Sequence, residues 1–455
     1  MQDFTSGHEG KLIFKFAAPM LIGNIFQQLF SVVDSIVVGK FIGKEALAAV
    51  GASFPVIFVM VSLIIGLVMG TTIVISQHFG AKNMEKVKRA IDTMYICSAV
   101  IGIIATIVGI LISEPILRLI DLPEELMPQA TLYLKIYLSG ILIFFGFNGT
   151  SAVLRGLGDS KTPLYFLIIA TVANIILVIL FVGVFRWGVA GAAVATLLAN
   201  ALAFGLAIWW LNKTHKLIRI SIRGLNFDKE IFQQSLRIGL PTAVQQTLVA
   251  MGGIALMDIV NKFGTAVIAG YTVASRLDSL ALVPAMSFSQ ALSAFVGQNI
   301  GANKSERIRA GLTATIKMSG VVTVVTTLFI ILFGQVIMSM FTNDEEVIRI
   351  GSQYLTIVSL FYFAFTMMFI YNGVTRGAGD TLMPMIFSLI SLWLIRIPFA
   401  WYFSGKFGVQ GIWWAIPAGW LIGYALSYFY YKTGRWKTKA IVRYNENIRQ
   451  SSEVL

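Results

Sequence analysis

The sequence predicts an all-α integral membrane protein of twelve transmembrane helices in two parallel six-helix repeats, and three observations predict it. First, of 455 residues 57% are hydrophobic and only 13% charged, with mean hydropathy +0.79. Second, a membrane-crossing helix takes roughly 20 apolar residues, and runs of that length recur along almost the whole chain. They lie near 12–39, 47–76, 91–112, 127–153, 163–184, 188–211, 235–261, 265–296, 310–338, 351–374, 382–403 and 409–431. The runs are continuously apolar, whereas the strands of a membrane barrel alternate. Third, the chain repeats itself. Gln77-His78-Phe79-Gly80-Ala81-Lys82-Asn83, leading through Glu85 to Arg89, is echoed by Gln298-Asn299-Ile300-Gly301-Ala302-Asn303-Lys304, leading through Glu306 to Arg309. Arg155-Gly156-Leu157-Gly158-Asp159 with Pro163 is echoed by Arg376-Gly377-Ala378-Gly379-Asp380 with Pro384, and both echoes stand 221 residues on.

The longest polar connection, Leu211 to Glu230, divides the chain into an N-terminal lobe (1–211), a cytoplasmic linker (212–230), a C-terminal lobe (231–432) and a cytoplasmic tail (433–455). Six spans per half is an even number, so the second copy starts on the same side as the first. The halves are therefore parallel, related by an axis roughly normal to the membrane. In such duplicated membrane units a site commonly lies between the copies, although duplication can also be ancestry alone.

Met1 to Gly10 is polar and the first apolar run is too long for a signal-peptide core, so no cleavable signal is expected. The first span opens on Ala18-Pro19. It carries Asn24, Gln27, Gln28, Ser31, Asp34 and Ser35 at spacings that form one polar stripe on an apolar helix. A carboxylate inside the membrane is costly and by default marks an ion or proton pathway. At 1.5 Å per residue Asp34 lies roughly 8 Å from the outer end of its span; Asn174 in the fifth span and Thr196 in the sixth lie roughly 12–15 Å from the same surface. The three can meet in the outer half of the N-terminal bundle; a structural carboxylate satisfied by hydroxyls and amides is the alternative. A buried carboxyl holds its proton until water enters or a cation arrives. One group can thus hold either a proton or a cationic substrate, the minimal requirement for exchange. Val178, four residues after Asn174, offers no second carboxylate, which favours a proton over sodium.

The second span runs into the first basic loop, which starts the third. Before the fifth span, Gly156 and Gly158 fit a tight turn, Asp159 a helix cap and Pro163 a first helical turn. No strand precedes them and no Gly-Lys-Ser/Thr follows, so neither a nucleotide nor an ATP-driven pump is expected. The sixth span opens on Gly188-Val189-Ala190-Gly191, answered by Gly408-Val409-Gln410-Gly411 before the twelfth; Leu240-Pro241 in the seventh answers Ala18-Pro19, and Lys262-Phe263 answers Lys40-Phe41. Gln245, Gln246 and Gln290 are candidate cavity donors or helix–helix hydrogen-bonding groups. Asp258, near the end of the seventh span, is expected at the interface in a structural role. In the eighth span Arg276 lies roughly 16 Å in from the outer end and must face the bundle interior or a wet cavity. Asp278, two residues on, points to nearly the opposite face. A substrate contact and an ion pair with another helix both remain open there. Arg396 in the eleventh span reaches the outer headgroups by snorkelling. Those of the 33 Phe and 17 Met that line a cavity would make it adaptable.

The net charge of +13 would suggest nucleic acid in a soluble protein. Its placement excludes that reading. With both termini inside, about 23 of the basic side chains fall on the cytoplasmic side, about 7 outside and about 5 within spans. The inside clusters are Lys82-Lys86-Lys88-Arg89, Lys213 to Lys229, Lys304-Arg307-Arg309 and Lys432 to Arg449, while Glu114, Asp121, Glu124, Glu125, Asp344, Glu345 and Glu346 lie outside. A multi-pass protein of the cytoplasmic (inner) membrane follows, its basic residues against anionic membrane lipids. The single Cys97 excludes a disulfide framework, and three histidines, His8, His78 and His215, near cytoplasmic ends or loops give neither a metal cluster nor an intramembrane catalytic constellation.

With these residues laid out, the chain resembles the multidrug and toxic compound extrusion (MATE) family over essentially its full length. The resemblance rests on Ala18-Pro19-Met20, on Val33-Asp34 with Gly39, on Gln77 to Lys82 and its echo Gln298 to Asn303, on Arg155 to Pro163 and its echo, and on Gly188 to Thr196. Ala274-Ser275-Arg276-Leu277 is similar to the DNA-damage-inducible (DinF-like) branch. The resemblance implies a V of two six-helix lobes, exporting diverse and often cationic organic compounds in exchange for protons or sodium; a monomer without a cofactor is expected. Asp34 matches the family's coupling acid, and Asn174 and Thr196 match its network. Arg276 matches a residue implicated in substrate or proton handling. Pro19 matches a hinge proline linked to helix bending, though its place equally suits an N-terminal helix proline. Val178 stands where many members carry a second aspartate, against sodium binding.

The expected function is a secondary active exporter of small toxic organic compounds, antiporting them against protons and driven by the proton-motive force. Asn24, Gln28, Gln245, Arg276 and Asp278 are the candidate substrate contacts. One alternative is a flippase or exporter of lipid-linked or polysaccharide precursors, which tends to carry extra helices and a strongly cationic cavity. The other is an intramembrane enzyme, for which no constellation is in view.

Overall fold

In lipid every backbone polar group needs an internal partner, so a long apolar stretch has little choice but to become a helix. A computed structural model describes residues 2–119, 122–214 and 224–442, with the side chains of residues 29–35, 44, 45 and 47 outside the described set. In chain order the helices are α1 (Glu9–Phe41), α2 (Lys44–Gly80), α3 (Met84–Leu119), α4 (Met127–Ser139), α5 (Ile141–Gly156), α6 (Lys161–Val178), α7 (Gly188–Thr214), α8 (Lys229–Asn261), α9 (Thr265–Gly301), α10 (Ser305–Ser339), α11 (Glu345–Ser359), α12 (Tyr362–Gly377), α13 (Leu382–Leu389), α14 (Ile397–Phe407) and α15 (Val409–Thr433). A π-helical segment, Ile179–Val184, continues α6, and another, Ile390–Arg396, joins α13 to α14.

Counted as continuous runs, these are the twelve expected spans among the described residues, and the protein is an all-α membrane protein. Two spans expected as single helices are broken. The fourth bends by 46° between α4 and α5, the tenth by 49° between α11 and α12. The fifth and eleventh both carry a π segment, so the irregularities recur at matching places in the two halves.

The duplication extends to backbone geometry. Left-handed φ values pair across the halves at Gly43 and Gly264, Lys82 and Asn303, Gly158 and Gly379, and Gly188 and Gly408. Gly158, at φ +80°, supplies the expected tight turn, and Asp159 caps α6 by accepting from the Lys161 and Thr162 amides, each at 3.0 Å. Gly156 serves packing instead: a Cβ there would stand 2.8 Å from Ile75.

Two compact units emerge. One holds mainly Ile22–Phe79 with Asn83–Ala243, the other Asp3–Leu21, Gly80–Lys82 and Val244–Leu455. In the first, Ala192, Ala195, Ala199, Ala203 and Ala207 put a buried small-residue face on α7, which lets neighbouring helices approach closely. In the second, Trp413, Tyr354 and Tyr362 are among the largest fully buried side chains.

Each unit also holds the start of one leading helix. In the second unit the Phe4 ring packs on Phe16 and Phe295, and its amide donates to Gln298 Oε1 at 2.9 Å. The Phe4 carbonyl accepts from Asn299 Nδ2, Lys304 donates to the Thr5 carbonyl, and Glu9 pairs with Arg307 at 2.9 Å. In the first unit Glu230 pairs with Lys86 at 3.0 Å, and Asp228 is bracketed by Lys86 at 3.4 Å and Arg89 at 3.5 Å. Glu9 and Glu230, like Lys86 and Arg307, stand 221 residues apart, so the two acid–base anchors are the same contact made twice. The duplicated loops thus hold the leading segments of the two first helices, a use their sequence did not disclose.

Candidate coupling and substrate site

Asn174, one turn before the π segment of the fifth span, is fully buried; its Nδ2 donates to Thr196 Oγ1 on α7 at 3.2 Å. The Thr196 carbonyl in turn accepts from Asn200 Nδ2 at 2.8 Å. Asn174 Oδ1 has no hydrogen-bond partner among the described residues. Val178 is completely buried a turn later. Of the three residues expected to meet, the structure joins Asn174 to Thr196. The third, Asp34, lies on α1 with its side chain, like those of Ser31 and Ser35, outside the described residues.

Elsewhere on α1, Gln28 is exposed, Asn24 is half-buried, and Pro19 stands inside the helix rather than in its first turn. The N-terminal-proline alternative is therefore closed. Pro241 occupies the same kind of interior place in α8.

In the C-terminal half the candidates separate. Arg276 is exposed and Asp278 buried, as the opposite-face geometry requires. Gln245 is fully engaged: its amide Nε2 donates to the Pro384 carbonyl and to Ser388 Oγ, while Oε1 accepts from Arg376 at 2.9 Å. That is the helix–helix use of a glutamine, and it ties α8 to the repeated glycine loop. Asp258 pairs with Lys262 at 3.7 Å, both exposed. Arg396 is half-buried at the end of the π segment, with a buried Nε that has no hydrogen-bond partner among the described residues.

Asp278 Oδ2 accepts from the Tyr354 hydroxyl at 3.2 Å. Sequence reading missed Tyr354 and Tyr362 as its neighbours, and Trp413 stacked behind Tyr354, because aromatic residues in apolar runs carry no spacing signal of their own. Among the described residues no group of three or more His, Cys, Asp or Glu side chains could hold a metal ion.

Outside the spans, the Asp228 carboxyl caps α8 by accepting from the Ile231 amide at 3.1 Å, and its own amide donates to Thr93 Oγ1 at 3.0 Å. Partial burial pushes this carboxyl up, but the Ile231 amide and the Lys86 ammonium outweigh it and hold the group below its ordinary value of 3.8.

The MatE family model matches residues 19–180 and 241–402. The chain is 35% identical over 435 residues to the probable multidrug resistance protein YpnP of Bacillus subtilis, covering 96% of this chain and 97% of that one. It is 30% identical over 440 residues to the probable multidrug resistance protein NorM of Thermotoga maritima, covering 95% and 94%. Among solved structures it is similar to an outward-facing multidrug resistance MATE family transporter of the MOP superfamily, with a TM-score of 0.90 at 25% identity over 95% of this chain and 97% of that one.

Proposed function

The chain belongs to the MatE family of multidrug efflux transporters, and on that premise we propose that it exports small organic, often cationic, compounds across the cytoplasmic membrane in exchange for protons. It is a multi-pass membrane transporter of small molecules and not an enzyme. Under this reading it works as a monomer, its termini lie in the cytoplasm, and its basic loops face anionic lipid. Proton coupling rests on Asp34, Asn174 and Thr196, and substrate contact on Asn24, Gln28 and Arg276.

The observation that carries the reading is the buried Asn174 amide, held by Thr196 through its donor end while its acceptor, Oδ1, has no partner among the described residues. A carboxylate can only accept hydrogen bonds, and a carboxylic acid can also donate one. An acceptor in the membrane interior therefore favours the protonated state of an acid that reaches it, and Asp34 is that acid in this reading. Deprotonation removes the donor and releases the contact. With Val178 in place of a second carboxylate, oxygen ligands for sodium are few, which supports protons as the coupling ion.

The test uses proteoliposomes with pH and sodium gradients imposed separately and ethidium as the transported cation. Efflux is expected to follow the pH gradient alone. Asp34→Asn, which carries a permanent donor, is expected to bind ethidium but lose gradient-driven efflux. Export at the wild-type rate by Asp34→Asn would remove the coupling assignment.

A further inference from the structure

The C-terminal half contains a second polar centre that the exchange reading leaves unused. Asp278 on α9 is 7% exposed. Tyr354, near the end of α11, donates to its Oδ2, and Tyr362, which opens α12, turns its hydroxyl toward the same carboxyl. Arg396, half-buried, ends the π segment, and Tyr271 lies two turns back on α9. The neighbouring α10 brings no charged group to it among the described residues. Four buried polar atoms of this one cluster have no hydrogen-bond partner among the described residues: Asp278 Oδ1, Tyr362 Oη, Arg396 Nε and Trp413 Nε1. Protein interiors satisfy nearly all such groups, so a concentration of exceptions calls for a functional cause. The backbone is irregular on two sides of the carboxyl, at the α11–α12 break and at the π segment that ends on Arg396. Such departures from regular helix at membrane depth accompany functional sites.

We propose that Asp278 is a proton-binding site of the C-terminal half, taking up and releasing a proton at Oδ1. The enclosure selects the ligand. The carboxyl is buried, and beside it the rings of Tyr271 and Tyr354 pack against Trp413 at 5.6 and 5.0 Å between centroids, an enclosure that favours the smallest ligand. A metal cation would need more oxygen ligands than one carboxyl and two phenols provide. A proton needs only the lone pair. On uptake an O–H bond forms at Oδ1 with a proton delivered by water, and Oδ2 remains the carbonyl that Tyr354 bonds. On release the proton returns to water and the carboxylate keeps its hydrogen bond from Tyr354. This assigns Asp278 to proton binding and not to substrate contact. Proton binding by Asp278 stands independently of coupling at Asp34; only its use in transport rests on the exchange reading.

The experiment is difference infrared spectroscopy of the full-length protein in lipid, stepped between neutral and mildly acidic pH, reading the carbonyl band of protonated carboxyl groups. A band present in Asp34→Asn and lost in the Asp34→Asn, Asp278→Asn double variant is the expected result. Tyr354→Phe preserves the ring packing and removes the hydrogen bond to the carbonyl, so the band is expected to persist at higher frequency. This second variant keeps the question open to an answer should Asp278→Asn fail to fold. An unchanged band in the Asp34→Asn, Asp278→Asn double variant, or an unshifted one when Tyr354→Phe is made in Asp34→Asn, overturns the proposal. Ethidium efflux by Asp34→Asn, measured alongside, reports separately on the exchange reading, because that result does not alter the Asp278 band.

Discussion

Asn174 depends on one side-chain bond for its donor end, so the Thr196 hydroxyl is the atom whose loss should be felt first. Thr196→Val keeps the volume and deletes the acceptor, leaving a buried amide N–H without its side-chain partner. The expected cost is about 1–3 kcal/mol, read as a lower unfolding temperature in detergent, while Thr196→Ser is expected to stay near wild type. Equal stability of the valine and serine variants would mean the pair contributes nothing. That Asn174 and Thr196 meet was legible beforehand, because helical rise alone puts them at one depth on consecutive spans. The surroundings of Asp278 were not legible. Tyr354 and Tyr362 arrive from two different helices far along the chain, and only folding brings them to one carboxyl. Gln245 was legible only as an alternative between cavity and helix contact, since a glutamine on a helix face serves either until its neighbours are known.

Close packing between helices sets the next scale. A Cβ at Gly70 of α2 would stand 2.2 Å from the Ser235 carbonyl oxygen of α8, and one at Gly66 would stand 2.6 Å from the Gly239 carbonyl oxygen. Backbone atoms cannot swing aside as a flexible side chain can, so Gly70→Ala must move a helix, at a cost of about 1–3 kcal/mol. Gly51 of the same helix has open space around it, and Gly51→Ala is expected to leave stability unchanged or raise it by up to about 1 kcal/mol. Thermal unfolding of both variants checks the contrast; similar losses in the two would rule out the close approach.

The end of the linker gives a pH signature at the same scale. Asp228 holds its carboxyl below the ordinary value in the folded protein, so the stability it adds is fully present above that value. It is lost as pH falls through the lower, folded one. The stability gap between wild type and Asp228→Asn is therefore expected to be constant near neutrality and to close in acid, below about pH 4. A gap that does not change with pH would show that the contacts of Asp228 are not charge-dependent. Element positions followed from hydropathy because lipid leaves an apolar run no other regular form. The bends at the fourth and tenth spans and the π segments escaped detection because hydropathy counts length and apolarity and is blind to one displaced hydrogen bond.

Across the whole molecule, the two leading helices change compact unit at the same place. In α1 the change falls after Leu21 and in α8 after Ala243, each two residues past an interior proline, Pro19 and Pro241. A proline gives no N–H to the helix and crowds the preceding turn, so one hydrogen bond is missing and bending there is cheap. On the near side of each proline the helix start is fixed by its acid–base anchor, Glu9 to Arg307 and Glu230 to Lys86. Each leading helix thus has a held end and a weak point, and the duplication supplies the device twice. If both prolines serve as hinges, Pro241→Ala restores the missing bond and slows exchange as Pro19→Ala does. The folded state should be no less stable, since an interior proline costs a helix about 3 kcal/mol relative to alanine. Ethidium efflux from proteoliposomes, with unfolding temperature measured in parallel, separates the two effects. Wild-type turnover by Pro241→Ala would confine the hinge to α1 and make the second proline a relic of duplication.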